Sequence, residues 1–358
     1  MDAGGCRGLG RAPLTPLFVP MRRTIHIPEL VLVRADVVGQ GRGVSDDRRI
    51  QQTLRADLLD QGYTADGIKR RLGRRELTAV RPGIYVSTAD LMALGEEQRH
   101  LLQVDATMRQ LGPGVLVSHH SAACLHGITL LHLPTAVQVT RPEGHAGHRR
   151  PTVHTHCAAV DPAEITVVNG HQVTGAARTV VDLARQGTFE QAVVAADSAL
   201  RRGLVTAGDL QDAVRRAARR PGVAVAQRVV QFADAGAESA GESVSRVMLH
   251  DQAVPRPAVQ VVIRGARGDA VARSDFGWDD YRTVGEFDGA QKYGRLLAPG
   301  QTPGDAVFEE KIREDQIRSL GWHVVRWTWS DLEDRRALAA RIVRALEHGA
   351  ALAGRRNY

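Results

Sequence analysis

Glu286 and Asp288 stand two apart in a run of alternating character, Thr283-Val-Gly-Glu-Phe-Asp288. Successive strand residues point to opposite faces, so Val284, Glu286 and Asp288 share one side of this run while Gly285 and Phe287 share the other. Two carboxylates are thus crowded onto one sheet surface, flanked by apolar residues. A carboxylate in such a setting is costly unless it meets a counter-charge or a ligand, which marks the pair as a candidate site. Asp279 and Asp280, in a polar turn just upstream, read instead as residues that solvate a hairpin.

The surrounding elements follow from composition and spacing. Val259 to Arg264 is rich in β-branched residues and predicts a strand, Gly265 to Asp269 a turn, and Val271 to Phe276 a second strand that delivers Asp275 at its end. With Thr283 to Asp288 this makes a three-stranded meander. Before it, Gly241 to Gln252 has Val244, Val247, Met248 and Leu249 at helical spacing, with Glu242 and Arg246 four apart on one face. After it, Asp305 to Leu320 predicts a helix closed by Gly321, His323 to Trp329 a buried strand, and Asp331 to Glu347 a last helix.

This α-β-β-β-α-β-α order, with Glu242, Asp275 and Glu286 on its first helix and two strands, resembles the core of the PD-(D/E)xK nuclease superfamily, closest to its very-short-patch-repair (Vsr) endonuclease-like branch. The segments Glu286-Phe-Asp-Gly, Lys292-Tyr-Gly-Arg, Glu310-Lys-Ile-Arg-Glu-Asp and Leu320-Gly-Trp-His-Val-Val-Arg326 carry the likeness. The resemblance implies a Mg²⁺-dependent DNA endonuclease, in phage defence or repair. The cation neutralises the phosphoryl charge and supplies hydroxide near neutral pH, and Mg²⁺ prefers carboxylate oxygens and water. Asp275 and Glu286 are then the two expected metal ligands, and Glu242 completes the shell or holds a water. The chain departs from the family at the third position, where Asp288 replaces the usual lysine and, when ionised, has no proton to donate. Lys292 is the residue expected to reach back in its place.

The N-terminal part carries a different chemistry. Ile50, Leu54, Leu58 and Leu59 recur at helical spacing between Arg48 and Asp60, Gly62 ends the run, and Thr64 is placed to cap a second helix from Ala65 to Leu72. Glu76 to Val80 and Ile84 to Val86 predict a hairpin about Arg81-Pro82-Gly83. A helix-turn-helix followed by a wing is the expected unit. From Asp66 to Arg81, Lys69, Arg70, Arg71, Arg74, Arg75 and Arg81 face only two acids. Clustered arginines on a second helix and wing suit DNA phosphates, with a few able to reach base edges. Leu54 through Val86 resembles the winged helix of AbiEi-like antitoxins of type IV toxin-antitoxin systems.

The middle region opens with a helix from Glu96 through Leu111. Strands are expected at Ala136 to Thr140, Thr152 to His156 and Ile165 to Val168, and helices at Ala177 to Ala184, Phe189 to Arg202 and Ala207 to Arg219. It is similar to the second domain of AbiEi-like proteins, with Arg178-Thr-Val-Val-Asp182 and Ala196-Asp197 among the matching residues. His119, His120 and His126 lie on one stretch and His154 and His156 share a strand face, but without a carboxylate or cysteine pattern they form no recognised ligand set. They read as structural or capping histidines. Neither Ser118 nor Ser121 has an identifiable base and oxyanion hole.

A chain of 358 residues exceeds one ordinary core. The expected fold class is α/β multidomain: a poorly ordered tail (1–45), a winged helix-turn-helix (46–90), a mixed α/β AbiEi-like middle domain (91–220) joined at Pro221-Gly222, and a C-terminal αβββαβ restriction-endonuclease-like domain (221–358). Three scattered cysteines exclude a disulfide framework and fit a reducing cytoplasm. No run predicts a membrane span. The net charge of +7 permits nucleic-acid binding. The partners expected are DNA and, in the alternative reading of a non-catalytic regulator or antitoxin, a cognate toxin.

Overall fold

Thr64 supplies the first local determinant of the N-terminal fold: its hydroxyl accepts from the Gly67 N–H at 3.0 Å and starts a helix whose Ile68 is buried. The computed structural model describes residues 51–141, 147–289 and 303–356, with side chains described from 308 to 354 in the last stretch. The expected tail, 1–45, and Lys292 lie outside the described residues. The first elements are β1 (Thr53–Leu54), α1 (Arg55–Asp60), α2 (Ala65–Gly73), β2 (Leu77–Arg81) and β3 (Ile84–Ser87). Leu58, Ile68 and Tyr85 bury one another, so two helices close over a three-stranded sheet of order β1-β3-β2.

The start of the first helix differs from expectation. The helical spacing across Thr53 and Leu54 does not produce helix, because these residues pair antiparallel with Tyr85 and Ile84 and add a strand beside the hairpin. The helix starts at Arg55, whose N–H donates to the Gly83 carbonyl at the hairpin turn.

Next come α3 (Thr88–Ala93) and α4 (Glu96–Met108), then β4 (Leu116–Val117), α5 (His119–His126), β5 (Val137–Arg141), β6 (His148–Arg150), β7 (Val153–Cys157), β8 (Ile165–Val168) and β9 (His171–Thr174). The strands form a sheet of order β6-β7-β5-β4-β9-β8, parallel at β5/β7 and β4/β9. Val104, Val117, Val139 and Val173 fill its core without exposure. Four helices follow, α6 (Ala176–Gln186), α7 (Phe189–Arg201), α8 (Ala207–Arg216) and α9 (Val223–Phe232). Alanines on α7 let them approach closely. Gly222, at φ +81°, opens α9 where a Cβ would stand 2.2 Å from the Arg185 carbonyl oxygen.

The last part runs α10 (Ala240–Asp251), β10 (Ala258–Arg264), β11 (Ala270–Trp278), β12 (Thr283–Asp288), α11 (Pro303–Ser319), β13 (His323–Thr328) and α12 (Arg335–Arg356). Its sheet has the order β10-β11-β12-β13, with the first three strands a meander and β13 parallel to β12. Val244 and Met248 of α10 and Ile342 and Leu346 of α12 pack with Phe276, Phe287 and Trp327 on one face. Ile317 of α11 packs with Ile263, Val284 and Val324 on the other. The last helix begins later than Asp331: a short 3₁₀ turn spans Asp331–Glu333, and Asp334 accepts from the Ala337 N–H to start α12.

Arg49–Tyr358 forms one compact unit. The protein is α/β: the N-terminal sheet is antiparallel, the two later sheets are mixed, and helices pack on each. Buried Asp197 on α7 joins its middle part to α10, accepting from Arg246 at 2.6 Å and from Ser243 at 2.8 Å. No helix among the described residues is long and apolar enough to cross a membrane.

Candidate functional site

Regular alternation along β11 would turn Ala272 and Phe276 to the same face of the sheet. They are on opposite ones, Ala272 packing toward α11 and Phe276 toward α10 and α12. The reversal falls between the paired positions Val259↔Phe276 and Val261↔Ser274, where Gln260 is held at φ +53°. A non-glycine residue in the left-handed region stores strain that surrounding contacts must hold. The consequence is local chemistry: Ser274 donates to Glu286 at 3.1 Å, while the Gln260 amide donates to Glu242 at 2.9 Å.

Asp275 therefore belongs with Glu242. Its Oδ2 accepts from the Phe287 N–H at 2.8 Å. Burial raises the Glu242 pKa, and the charge of nearby Asp275 raises it further. Three hydrogen bonds oppose that shift and hold the Glu242 side chain in place: from the Glu238 N–H, the Ser239 hydroxyl and Gln260.

Glu286 meets a different environment. It is buried, and its oxygens accept from Arg313 of α11 at 2.6 Å and pair with Arg326 of β13 at 2.7 Å. Arg313 also pairs with Glu310 and donates to the Arg273 carbonyl, while Arg326 extends to Asp288 at 3.5 Å, Glu314 at 3.2 Å and Glu310. Burial alone would lower the pKa of both arginines, and hydrogen bonds and charge from these carboxylates overcome it and raise both. As arranged, Glu286 is committed to two guanidiniums and a hydroxyl. No group of three or more His, Cys, Asp or Glu side chains among the described residues is placed to hold a metal ion. This donor set does not fit a divalent cation bridging Asp275 and Glu286.

Arg313 and Arg326 do not stand out by their chemistry in the sequence. A signal is present: Glu310, Arg313 and Glu314 recur at helical spacing on one face of α11. Their partner on β13 is reached only through parallel pairing of Glu286 with Arg326.

The N-terminal basic residues divide into two groups. Lys69, Arg70, Arg74 and Arg75 are exposed along the end of α2 and the turn after it. Among the described residues no carboxylate pairs with Lys69, Arg70 or Arg75, and Arg74 reaches only Glu76 at 3.9 Å. Arg71 is half-buried, pairs with Glu76 at 2.9 Å and lies over the Tyr63 ring. Arg81 turns inward at the hairpin, donating to Gln110 at 2.9 Å, and burial lowers its pKa.

The histidines are structural in arrangement. The rings of His119 and His156 stack with centroids 3.7 Å apart, His126 donates to the Thr174 carbonyl, and His100 shares a hydrogen bond with Ser121. Ser118 is fully buried, bonded to His119 and Thr140.

Over 239 residues the chain is 31% identical to two proteins of Mycobacterium tuberculosis, the uncharacterized protein MT2308 of strain CDC 1551 / Oshkosh and the uncharacterized protein Rv2248 of strain ATCC 25618 / H37Rv. The match covers 65% of this chain and 84% of each relative. The chain belongs to the family of these mycobacterial proteins. No family model matches it. The crystal structure of the RV2827C protein from Mycobacterium tuberculosis aligns with a TM-score of 0.36 and 15% identity, over 52% of this chain and 73% of that one, a likeness too slight to carry an argument.

Proposed function

We propose that the protein binds duplex DNA through its N-terminal winged helix and acts in the cytoplasm as a non-catalytic regulator or antitoxin. The observation that carries this reading is the row of exposed cationic side chains Lys69, Arg70, Arg74 and Arg75, on the second helix of a helix-turn-helix and the turn that leads into its wing. Cations held at one edge of such a unit meet phosphates, and their number sets the salt dependence of binding. The arginine pairing of Glu286 supports a scaffold role for the C-terminal sheet, available to a partner such as a cognate toxin. Binding of a labelled duplex, measured by anisotropy at low salt, tests it; absence of binding removes the regulator reading.

A second reading, a Mg²⁺-dependent endonuclease, rests on one observation, the closeness of Asp275 to Glu242. It requires Arg313 and Arg326 to release Glu286. Thermal melts with and without Mg²⁺ or Mn²⁺, beside a nicking assay on supercoiled DNA, separate the two. The regulator reading predicts neither nicking nor a metal-dependent shift. Tight metal binding would stabilise the fold by about 2.7 kcal/mol at a hundred times the dissociation constant. Nicking that Glu286→Gln abolishes would establish the enzyme instead.

A further inference from the structure

The cationic face of α2 carries an acid. At about 100° per residue, Asp66, Lys69, Arg70 and Gly73 share one side of the helix, opposite Ile68 and Leu72, which pack into the core of the winged unit. All four are exposed. Among the described residues the ion pairs of this region run from Arg71 and Arg74 to Glu76, and none joins Asp66 to Arg70, one turn away. A carboxylate on a face that met only phosphates would oppose binding. It favours binding where it meets an amino group, and a duplex carries amino groups only on its bases. Gly73 is a second, independent observation. Its φ lies outside the left-handed region, and a Cβ there would meet nothing within 4 Å. Glycine weakens a helix relative to alanine, so nothing inside the fold calls for it. Its bare backbone permits close approach from outside. The hairpin turn, by contrast, is committed within the fold: Arg81 donates to Gln110 at 2.9 Å, and the Pro82 and Gly83 carbonyls accept from Gln110 at 2.7 Å and the Arg55 N–H at 2.8 Å.

We propose that α2 reads G·C pairs in the major groove of duplex DNA, with Asp66 accepting from a cytosine N4 amino group and Arg70 donating to guanine O6 and N7. Gly73 lets the helix backbone close on the groove, and Lys69, Arg74 and Arg75 hold flanking phosphates. The inference rests on the winged-helix reading and adds the base class to it. An ionised carboxylate has no proton to donate. Cytosine offers it a donor alone, whereas adenine sets the N7 acceptor beside its amino group and leaves that acceptor unpaired against Asp66. Arg70 lies opposite the buried side of α2, and its fork matches two acceptors side by side, which in the major groove only guanine presents. At a rise of about 1.5 Å per residue the two side chains leave the helix about 6 Å apart, or about two base-pair steps. The deep, narrow major groove of duplex RNA excludes such side chains, so DNA is the ligand.

The test uses the full-length chain and a randomised duplex DNA library, from which bound sequences are selected at low salt. The selected site is expected to hold a cytosine and a guanine about two base pairs apart. In that duplex, 7-deazaguanine, which removes the N7 acceptor from the major groove, should weaken binding at least ten-fold at one guanine. Inosine at the same position removes only the minor-groove amino group and should change affinity less than two-fold. Two variants accompany wild type. Asp66→Asn, which can pair both the amino group and N7 of adenine, should select adenine in place of the cytosine. Gly73→Ala should melt no lower than wild type and yet bind the selected duplex at least ten-fold more weakly. Binding without base preference, loss on inosine but not on 7-deazaguanine substitution, an unchanged site selected by Asp66→Asn, or full affinity in Gly73→Ala overturns the proposal while leaving the winged helix a DNA-binding unit. No binding of any duplex at low salt removes that reading and this one with it.

Discussion

Glu286 is buried between two guanidiniums that cannot lose their charge. Glu286→Gln leaves Arg313 and Arg326 with Glu310, Glu314 and Asp288 as partial compensation. The expected loss is about 2–3 kcal/mol, below the roughly 3–5 kcal/mol for breaking an isolated buried pair. Urea unfolding measures it, and a loss under about 0.5 kcal/mol would show that the pairing does not hold the sheet. A second prediction concerns pH. Burial pushes His119 well below its usual pKa and brings His100 and His156 to about 4, with neighbouring histidines and arginines adding to the shifts of His119 and His156. These rings stay neutral in the fold but charge in the unfolded chain below about pH 6.5. Stability is therefore full above that value and falls as the pH drops below it, because the unfolded chain then binds protons that the fold excludes. Unfolding curves at pH 7.5, 6 and 5 check the sign, and equal stability at all three would contradict it.

Gly241 shows how closely α10 lies on β12, since a Cβ there would come within 1.9 Å of the Phe287 ring. Gly241→Ala must push that ring out of the packing with Val244 and Met248, and about 2 kcal/mol of destabilisation is expected. A variant as stable as wild type would mean that the helix shifts freely. The same region shows what sequence makes legible. The strand Thr283–Asp288 and the order of elements around it could be read because β-branched runs and glycine turns are local signals. The face reversal at Gln260 could not, because period-two reasoning assumes regular alternation and nothing local announces a left-handed glutamine. Thr53–Leu54 misled for a similar reason: helical spacing gave way to pairing with a hairpin some thirty residues on. The arginines that bind Glu286 come from α11 and β13, so their role appears only once the parallel strand is in place.

Across the whole molecule, charge is divided by position. In the C-terminal part arginines neutralise buried carboxylates: Arg246 meets Asp197, and Arg313 and Arg326 meet Glu286. On α2 and the turn after it, by contrast, Arg70 and its neighbours face outward. The cluster is visible in the sequence but its division is not, since Arg71 and Arg81 find partners only in the folded chain. DNA binding by the outward-facing group is the central claim. Its most direct test is the affinity for a duplex as a function of salt, for wild type and for the triple variant Arg70→Ala, Arg74→Ala, Arg75→Ala. Removing one phosphate-bound cation should lower the logarithmic slope by about 0.9, so the variant should bind more weakly with a slope reduced by up to about 3. An affinity and slope equal to wild type would contradict the assignment of this helix to DNA.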